Sequence, residues 1–484
     1  MRNKSELVKN KSRANLKINL ITLGCPKNIV DSEFIKGGLK ACGVDFVGDA
    51  KNAEAVIINT CGFIESAKEE SIDTILQAVQ LKKRGRVKNV FVTGCLSERY
   101  GAELRQEIPE VDGFYGNRDM RKIVAGLARQ LRLKDELIGE RELLTPKHYA
   151  YLKISEGCEH PCTFCAIPGI RGNFRSTPIP ELVEQTASLS QKGVKELILV
   201  AQDTTQYGLD LNGKQQLSEL LHELCRVDGI EWIRLMYAYP YHVTDAMLEV
   251  IAEEPKIVKY VDMPIQHISS RMLKRMARRV DRGFTEKLLA RMRAVIPELA
   301  LRTSVIAGFP GETEEDFQEL LDFVAEGNFE RLGVFTYSQE ENTPAFGFPE
   351  QIADEVKRER CDLLMQAQQE VAVDWSAKQA GRRLHVLIDE FDPTVNAFRG
   401  RTAWDCPEID HTVLVRAPHS YSKSIWKNSD GVNIGEFCEV DIVEARDYDL
   451  IAVPTRRPHS YSSPAAVREL GGIKYLLYHG QPAG

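Results

Sequence analysis

HYAYLKISEGCEHPCTFCAIPGIRG, residues 148–172, is the stretch that decides the fold. Its first part, YLKI (151–154), reads as a short strand. The chain then breaks into a loop carrying Cys158, Cys162 and Cys165 at C-x3-C-x2-C spacing. Three thiolates on one tight loop can hold three irons of a 4Fe–4S cube and leave the fourth iron open. Two other readings stand beside this one: a zinc site with His160 as fourth ligand, or buried thiols. A zinc knuckle normally pairs C-x2-C with a second such pair, which the chain lacks.

Working downstream, apolar runs recur at ELILVA (196–201), WIRLMY (232–237), KYVDMP (259–264), LRTSVIAG (301–308) and LGVFTY (332–337). Helical patterns such as IPELVEQTASLSQKG and TEEDFQELLDFVAEG lie between them. Six strand–helix units over 149–340 predict a full or partial β/α barrel. Barrel sites lie at the C-terminal ends of the strands, which is where the cysteine loop falls. Polar residues just past these strands are Gln202, Asp203, Tyr237, Gln266 and His267. Glu312 and Thr313 read as helix capping. The basic run RMLKRMARRVDR (271–282) reads as a solvated helix face.

Working upstream, KINLIT (17–22), EAVIIN (54–59) and KNVFVT (88–93) alternate with helical patterns, the signature of a parallel sheet covered on both faces. Cys25, Cys61 and Cys95 each follow one of these strands by one to three residues. In a parallel sheet all three loops leave at the same edge, the usual ligand site of open α/β sheets. Either the three thiols converge on a second cluster with one open iron, or they are three unrelated strand-end cysteines. Cys42, Cys225, Cys361, Cys406 and Cys438 fall in helical or β patterns without partners.

The C-terminal third changes character. A long helical pattern over 350–380 ends at Gly381. The short β runs RLHVLIDEF, AFRGRTA, HTVLVR and EFCEVDIVEA then predict a small β-barrel. The expected divisions are a tail (1–15), an N-terminal domain (16–131), a charged linker (132–147), a core (148–377), a β domain (378–450) and a tail (451–484). PHSYS occurs at 418–422 and again at 458–462, which reads as chance. The whole chain has 484 residues and a formal net charge of −7, so a strongly basic nucleic-acid binder is not expected. No apolar run is long enough to span a membrane. The basic N-terminus MRNKSELVKNKSRANLK lacks the apolar core of a secretory signal. Clustered cysteines in a large chain without a signal read as metal ligands of a cytoplasmic protein.

The cysteine loop at the head of a barrel resembles the radical S-adenosylmethionine superfamily. The three cysteines in front and the β domain behind are similar to its methylthiotransferase family. The stretches carrying the likeness are LGCPKNIVDSE (23–33), NTCGFIESA (59–67), VTGCLSERY (92–100), residues 148–172, QDTTQYG (202–208), GFPGETEEDF (308–317) and GRTAWDCPEID (400–410). Gly24-Cys25-Pro26-Lys27-Asn28, where tRNA-modifying relatives usually read Gly-Cys-Gln-Met-Asn, resembles the branch acting on small-subunit ribosomal protein S-twelve. The resemblance implies an α/β fold of three parts: a Rossmann-like parallel sheet, a partial TIM-like barrel and a small β-barrel called TRAM.

The resemblance also implies two 4Fe–4S clusters and S-adenosyl-L-methionine as cofactors. Cys158, Cys162 and Cys165 would hold the radical SAM cluster, whose open iron chelates S-adenosylmethionine; one electron splits the sulfonium and yields a 5′-deoxyadenosyl radical. Cys25, Cys61 and Cys95 would hold an auxiliary cluster presenting the sulfur, which a second S-adenosylmethionine methylates. Phe164 is expected near the adenine, and Gln202, Gln266 and Arg302 are expected contacts to S-adenosylmethionine. No catalytic residue is assigned beyond the cysteines. The implied partners are the basic ribosomal protein and an electron donor such as flavodoxin or ferredoxin, with no membrane and no required nucleic-acid contact. Charge bears on the choice of substrate. Residues 378–450 hold nine Lys and Arg against thirteen Asp and Glu, a net of −4 that repels phosphate and attracts a basic protein. A tRNA adenosine methylthiotransferase is the alternative enzyme. A non-enzymatic iron–sulfur carrier or sensor is the alternative of another class, although carriers normally close their coordination with four protein ligands.

Overall fold

The computed structural model describes residues 16–133, 140–416, 432–446 and 448–455, and the backbone of a separate ribbon at 466–470 and 473–477. Both copies of PHSYS and the N-terminal tail lie outside the described residues. The chain forms two compact units. The first comprises the chain up to Leu144 together with Gly169–Gly172, and the second holds the rest.

In the first unit, five parallel strands lie in the order β2-β1-β3-β4-β5. They are β1 (Leu16–Thr22), β2 (Val44–Phe46), β3 (Ala55–Thr60), β4 (Asn89–Gly94) and β5 (Gly113–Phe114). Helices α1 (Pro26–Ala41), α2 (Glu65–Lys83), α3 (Cys95–Glu107) and α4 (Met120–Gln130) cover the two faces. The apolar residues split accordingly. Val56, Ile58, Val90 and Val92 pack with Ile75, Val79 and Leu104 of α2 and α3. Ile18, Ala55, Ile57 and Phe91 pack with Ile35, Leu39, Val124 and Leu127 of α1 and α4. Alternation along each strand therefore feeds two cores, as a doubly covered sheet requires. The strand order reverses between β1 and β3, and a crevice opens at such a switch point beyond the strand ends. The expected linker is partly structured: Arg141 forms a buried ion pair with Glu33 on α1, whose other oxygen accepts the Leu144 amide.

The second unit opens with β6 (Tyr149–Lys153), and β7 (Ser155–Glu156) pairs with β8 (Arg175–Ser176) around the cysteine loop and the short helix α5 (Ile167–Arg171). There follow α6 (Ile179–Gln191), β9 (Glu196–Val200), α7 (Leu209–Asn212), α8 (Leu217–Cys225), β10 (Trp232–Leu235), α9 (Asp245–Glu253), β11 (Ile257–Asp262), α10 (Ser270–Arg275), α11 (Arg282–Val295), β12 (Ala300–Ala307), α12 (Glu314–Ala325), β13 (Arg331–Thr336) and α13 (Asp354–Ala377). The six long strands form one open parallel sheet in chain order, β6 to β13, so the barrel is partial. Thr313 caps α12 in a capping box with Asp316, as its position predicts.

The small β-barrel is closed: β14 (Arg383–Asp392), β15 (Ala397–Arg401), β16 (Val413–Arg416), β18 (Asp449–Pro454) and β17 (Phe437–Arg446), in that spatial order. It runs to Pro454, past the expected limit of 450, because β18 is the strand that closes it against β16 and β17. Strands β19 (Ala466–Leu470) and β20 (Ile473–Leu477) form the separate antiparallel ribbon, in a stretch expected to be a tail.

Residues 401–410 tie this barrel to every strand of the six-stranded sheet. Tyr149 donates to Glu408, Glu196 pairs with Arg401, and Arg234 donates to the Ala403 carbonyl. Tyr260 donates to Asp410, Arg302 pairs with Asp410, and Arg331 pairs with Asp405. Most of these groups are buried, and stripping one partner from a buried pair typically costs about 3–5 kcal/mol.

Candidate functional site

The first unit builds its site from three strand ends. Cys25 caps the N-terminus of α1 after β1, Cys61 follows β3, and Cys95 is the first residue of α3 after β4. Glycines let these turns approach. Gly24 has φ +86°, and a Cβ there would lie 2.7 Å from Cys61 Cβ and 3.0 Å from Cys61 Sγ. Gly94 has φ +100°, and a Cβ there would meet Asn59 Oδ1 and the Thr60 carbonyl at 2.4 Å. Any side chain at either place would push the turns apart. Cys25 and Cys95 stand at the positive ends of two helices, which favours a bound anion.

Asn28 stitches the turns together from within α1. Its Nδ2 donates to the carbonyls of Leu23 and Thr60, at the ends of β1 and β3, while Asn59 Nδ2 donates to the Asn28 carbonyl. Burial pushes the Cys61 thiol up to about 12, and Cys25 and Cys95 add to the rise as neighbouring sulfurs. Burial raises Cys95 as well, against the opposing charge of Arg171. Such thiols stay protonated until a metal takes the proton's place. The three predicted residues are thus brought together.

The second site is built from one loop. Burial pushes Cys158 up to about 11 and Cys165 up to about 12, each with Cys162 as a sulfur neighbour. Between the cysteines the chain is held at His160, Thr163 and Phe164. His160 stacks on Tyr239 at 4.1 Å between ring centroids, and its Nε2 lies 2.7 Å from Asp203 Oδ2. Arg278 lies over the Tyr239 ring, 4.0 Å from its centroid, and donates to Cys162 Sγ at 3.7 Å. The Thr163 amide and hydroxyl donate to the carbonyls of Met276 and Arg275. Phe164 packs against Met272, Met276 and Phe309.

His160 is therefore turned to Asp203 and not into a zinc site with the cysteines. Asp203 Oδ2 also lies 3.0 Å from His242 Nδ1, while Oδ1 accepts from Thr205. Burial alone would raise the Asp203 carboxyl, but these hydrogen bonds outweigh it and hold the group down at about 2. The spacings are those of hydrogen bonds, and they leave Asp203 fully partnered.

The other predicted residues divide. Gln202 donates from Nε2 to Glu156, while its buried Oε1 has no partner. Ser155 Oγ and Tyr337 Oη, also at strand ends, are buried and unpartnered too. Tyr237 and Gln266, two residues past β10 and four past β11, have φ of +59° and +74°, strained values for residues with a Cβ. His267 Nδ1 accepts from the amides of Ile268 and Ser269, a structural use. Glu312 does not merely cap a helix: it accepts from the Gly308 amide and pairs with Arg360. Arg302 does not join the ligand-side group. It lies two residues into β12, paired with Asp262 and Asp410, and serves the anchoring of the small barrel.

Sequence reasoning missed Arg278 and Arg171. Arg278 sits in the basic run expected to be a solvated face, of which Arg271 pairs with Asp316 and Arg282 with Glu286 and Glu319. Arg171 follows the C-x3-C-x2-C loop by six residues, the one sequence signal for it; nothing in the sequence marks Arg278.

Residues 17–116 match the family described as "Uncharacterized protein family UPF0004", 152–324 match the radical SAM superfamily, and 380–454 match the TRAM domain. The ribosomal protein uS12 methylthiotransferase RimO of Christiangramia forsetii is 47% identical over 447 residues, covering 92% of this chain and 96% of that protein. The protein of the same name from Chloroherpeton thalassium is 47% identical over 434 residues, covering 90% and 97%. Among solved structures, the radical S-adenosylmethionine methyltransferase TsrM of Kitasatospora setae, with cobalamin and a [4Fe-4S] cluster bound, superposes with a TM-score of 0.50. It is 13% identical and covers 69% of this chain and 77% of that one, a likeness of fold.

Proposed function

Because this chain belongs to the RimO family of radical SAM methylthiotransferases, we propose that it adds a methylthio group to the β-carbon of an aspartate in ribosomal protein uS12. The observation that carries this reading is the presence of two separate three-thiol sites, with the remaining five cysteines on other elements. The donor sets fit the cofactors of the family, two 4Fe–4S clusters and S-adenosylmethionine. Cys158, Cys162 and Cys165 would hold one cluster, and Cys25, Cys61 and Cys95 the other. Bound there, the clusters supply one-electron cleavage of S-adenosylmethionine and a site for the transferred sulfur.

The chain's own residues prepare this chemistry. The Arg278–Tyr239–His160 stack fixes the loop carrying Cys158, Cys162 and Cys165. Gln202 Oε1, buried without a donor, fits an amino or hydroxyl group of S-adenosylmethionine. Gln266 is held in left-handed backbone in the loop after β11, and Phe164 offers an apolar face to the adenine. The acidic β domain favours a basic protein over RNA as substrate. No described helix is long and apolar enough to cross a membrane. We place the enzyme in the cytoplasm, where a flavodoxin or ferredoxin would supply electrons.

The test is reconstitution with iron and sulfide, followed by incubation with reductant, S-adenosylmethionine and either uS12 or tRNA. A methylthio mass gain on the uS12 aspartate is expected. A gain on tRNA nucleosides alone, or no cleavage of S-adenosylmethionine under any reductant, overturns the proposal.

A further inference from the structure

Gly169–Gly172 follows the first triad's loop in sequence but packs with the first unit. Its Arg171 is 4% exposed, an arginine buried among the residues of the other triad. The guanidinium is fully used. One nitrogen pairs with Asp31 of α1 at 2.8 Å. The other donates to Asn28 Oδ1 at 2.6 Å and to Cys95 Sγ at 3.4 Å. Asn117, in the loop after β5, donates its Nδ2 to the same sulfur at 3.3 Å. Cys95 alone among the three thiols receives two side-chain donors of this kind among the described hydrogen bonds.

We propose that Arg171, with Asn117, is a positioning residue that sets the electronic asymmetry and the hold of the cluster at Cys25, Cys61 and Cys95. The inference rests on the reading that these cysteines hold a cluster. A thiolate that accepts N–H donors gives less charge to its iron. Hydrogen bonds to ligand sulfur therefore raise the reduction potential of a cluster, and a charged donor raises it more. The Cys95 corner is thus the electron-poor one. Asp31 holds the guanidinium where it reaches both Asn28 and the sulfur. Because Asn28 also ties the ends of β1 and β3, the same arginine braces the turns carrying Cys25 and Cys61.

The experiment uses the full chain with Cys158, Cys162 and Cys165 replaced by alanine, so that a single cluster reports. Arg171→Gln, Arg171→Lys and Asn117→Ala are made in that background and reconstituted. The midpoint potential is read by EPR-monitored titration, and iron retention by the rate of loss to a chelator. Arg171→Gln is expected to shift the potential negative and to speed iron loss by about tenfold to a hundredfold, as loss of such supporting partners does. Arg171→Lys, which keeps the charge opposite Asp31, should recover part of both. Asn117→Ala leaves the Asp31 pair intact and should still shift the potential negative. It decides the matter if Arg171→Gln does not fold. Unchanged potentials in the variants that carry a cluster overturn the role of Arg171 and Asn117 alone. A parent that binds no cluster takes down the site reading as well.

Discussion

The two cysteine triads solve one problem in opposite ways. One lies within eight residues of a single loop, and the neighbouring elements only have to keep that loop from moving. The other draws Cys25, Cys61 and Cys95 from the ends of three strands, so the sheet itself is the frame and glycine is the tool of approach. A local triad depends on what packs around it. A distributed triad depends on backbone geometry that tolerates no added atom.

The largest expected effect separates the two sites outright. Cys158→Ala should abolish formation of 5′-deoxyadenosine, measured by chromatography. Cys61→Ala should leave that cleavage in place and remove methylthio transfer to uS12. Loss of both activities in each variant would erase the distinction.

Next in size is the backbone of the distributed triad. Gly94→Ala adds a methyl against Asn59 and Thr60 at a left-handed φ, a combined strain of about 2–5 kcal/mol. Iron bound at Cys25, Cys61 and Cys95 should fall while S-adenosylmethionine cleavage persists. An undiminished iron content would mean that the turns need not meet. A smaller effect is expected from Tyr239→Leu, which removes the ring between His160 and Arg278. The lost stacking and cation–π contacts amount to about 1–3 kcal/mol. The first cluster should then leak iron faster while the second keeps its rate.

The smallest effect concerns neither triad. Asp389 and Asp405 sit in the anchoring of the β domain. Burial pushes both carboxyls up, but His148 and Arg401 at Asp389, and Arg331 and Thr402 at Asp405, leave both below the usual aspartate value. A carboxyl depressed in the folded state stabilises above its unfolded pKa, and the contribution fades as pH falls through the folded value. The unfolding midpoint of the iron-free protein should begin to ease down below about pH 6.5, where buried His411 resists protonation, and drop steeply below about pH 4. Replacing Asp405 by asparagine should blunt that drop.

The same contrast explains what the sequence makes legible. C-x3-C-x2-C is local, so spacing alone places the first triad. The second needs the inference that parallel strands release their loops at one edge, and the order β2-β1-β3-β4-β5 bears that out. Strands β2 and β5 escape sequence reading because three and two residues carry no periodicity. Arg278 escapes because nothing in a run of basic residues says which one turns inward, and Arg171 because its partners Asp31 and Asn28 lie some 140 residues away. Arg302 misleads for a related reason. Its partner Asp410 lies more than a hundred residues away, and no pattern in β12 reveals that GRTAWDCPEID reaches that strand.

The most direct measurement of the central claim is iron and Mössbauer analysis of anaerobically reconstituted full-length protein beside its Cys25→Ala/Cys61→Ala/Cys95→Ala variant. Two cubes should give about eight irons per chain in the first and about four in the second, with the remaining signal responding to S-adenosylmethionine. Four irons in both, or eight in both, would contradict the account.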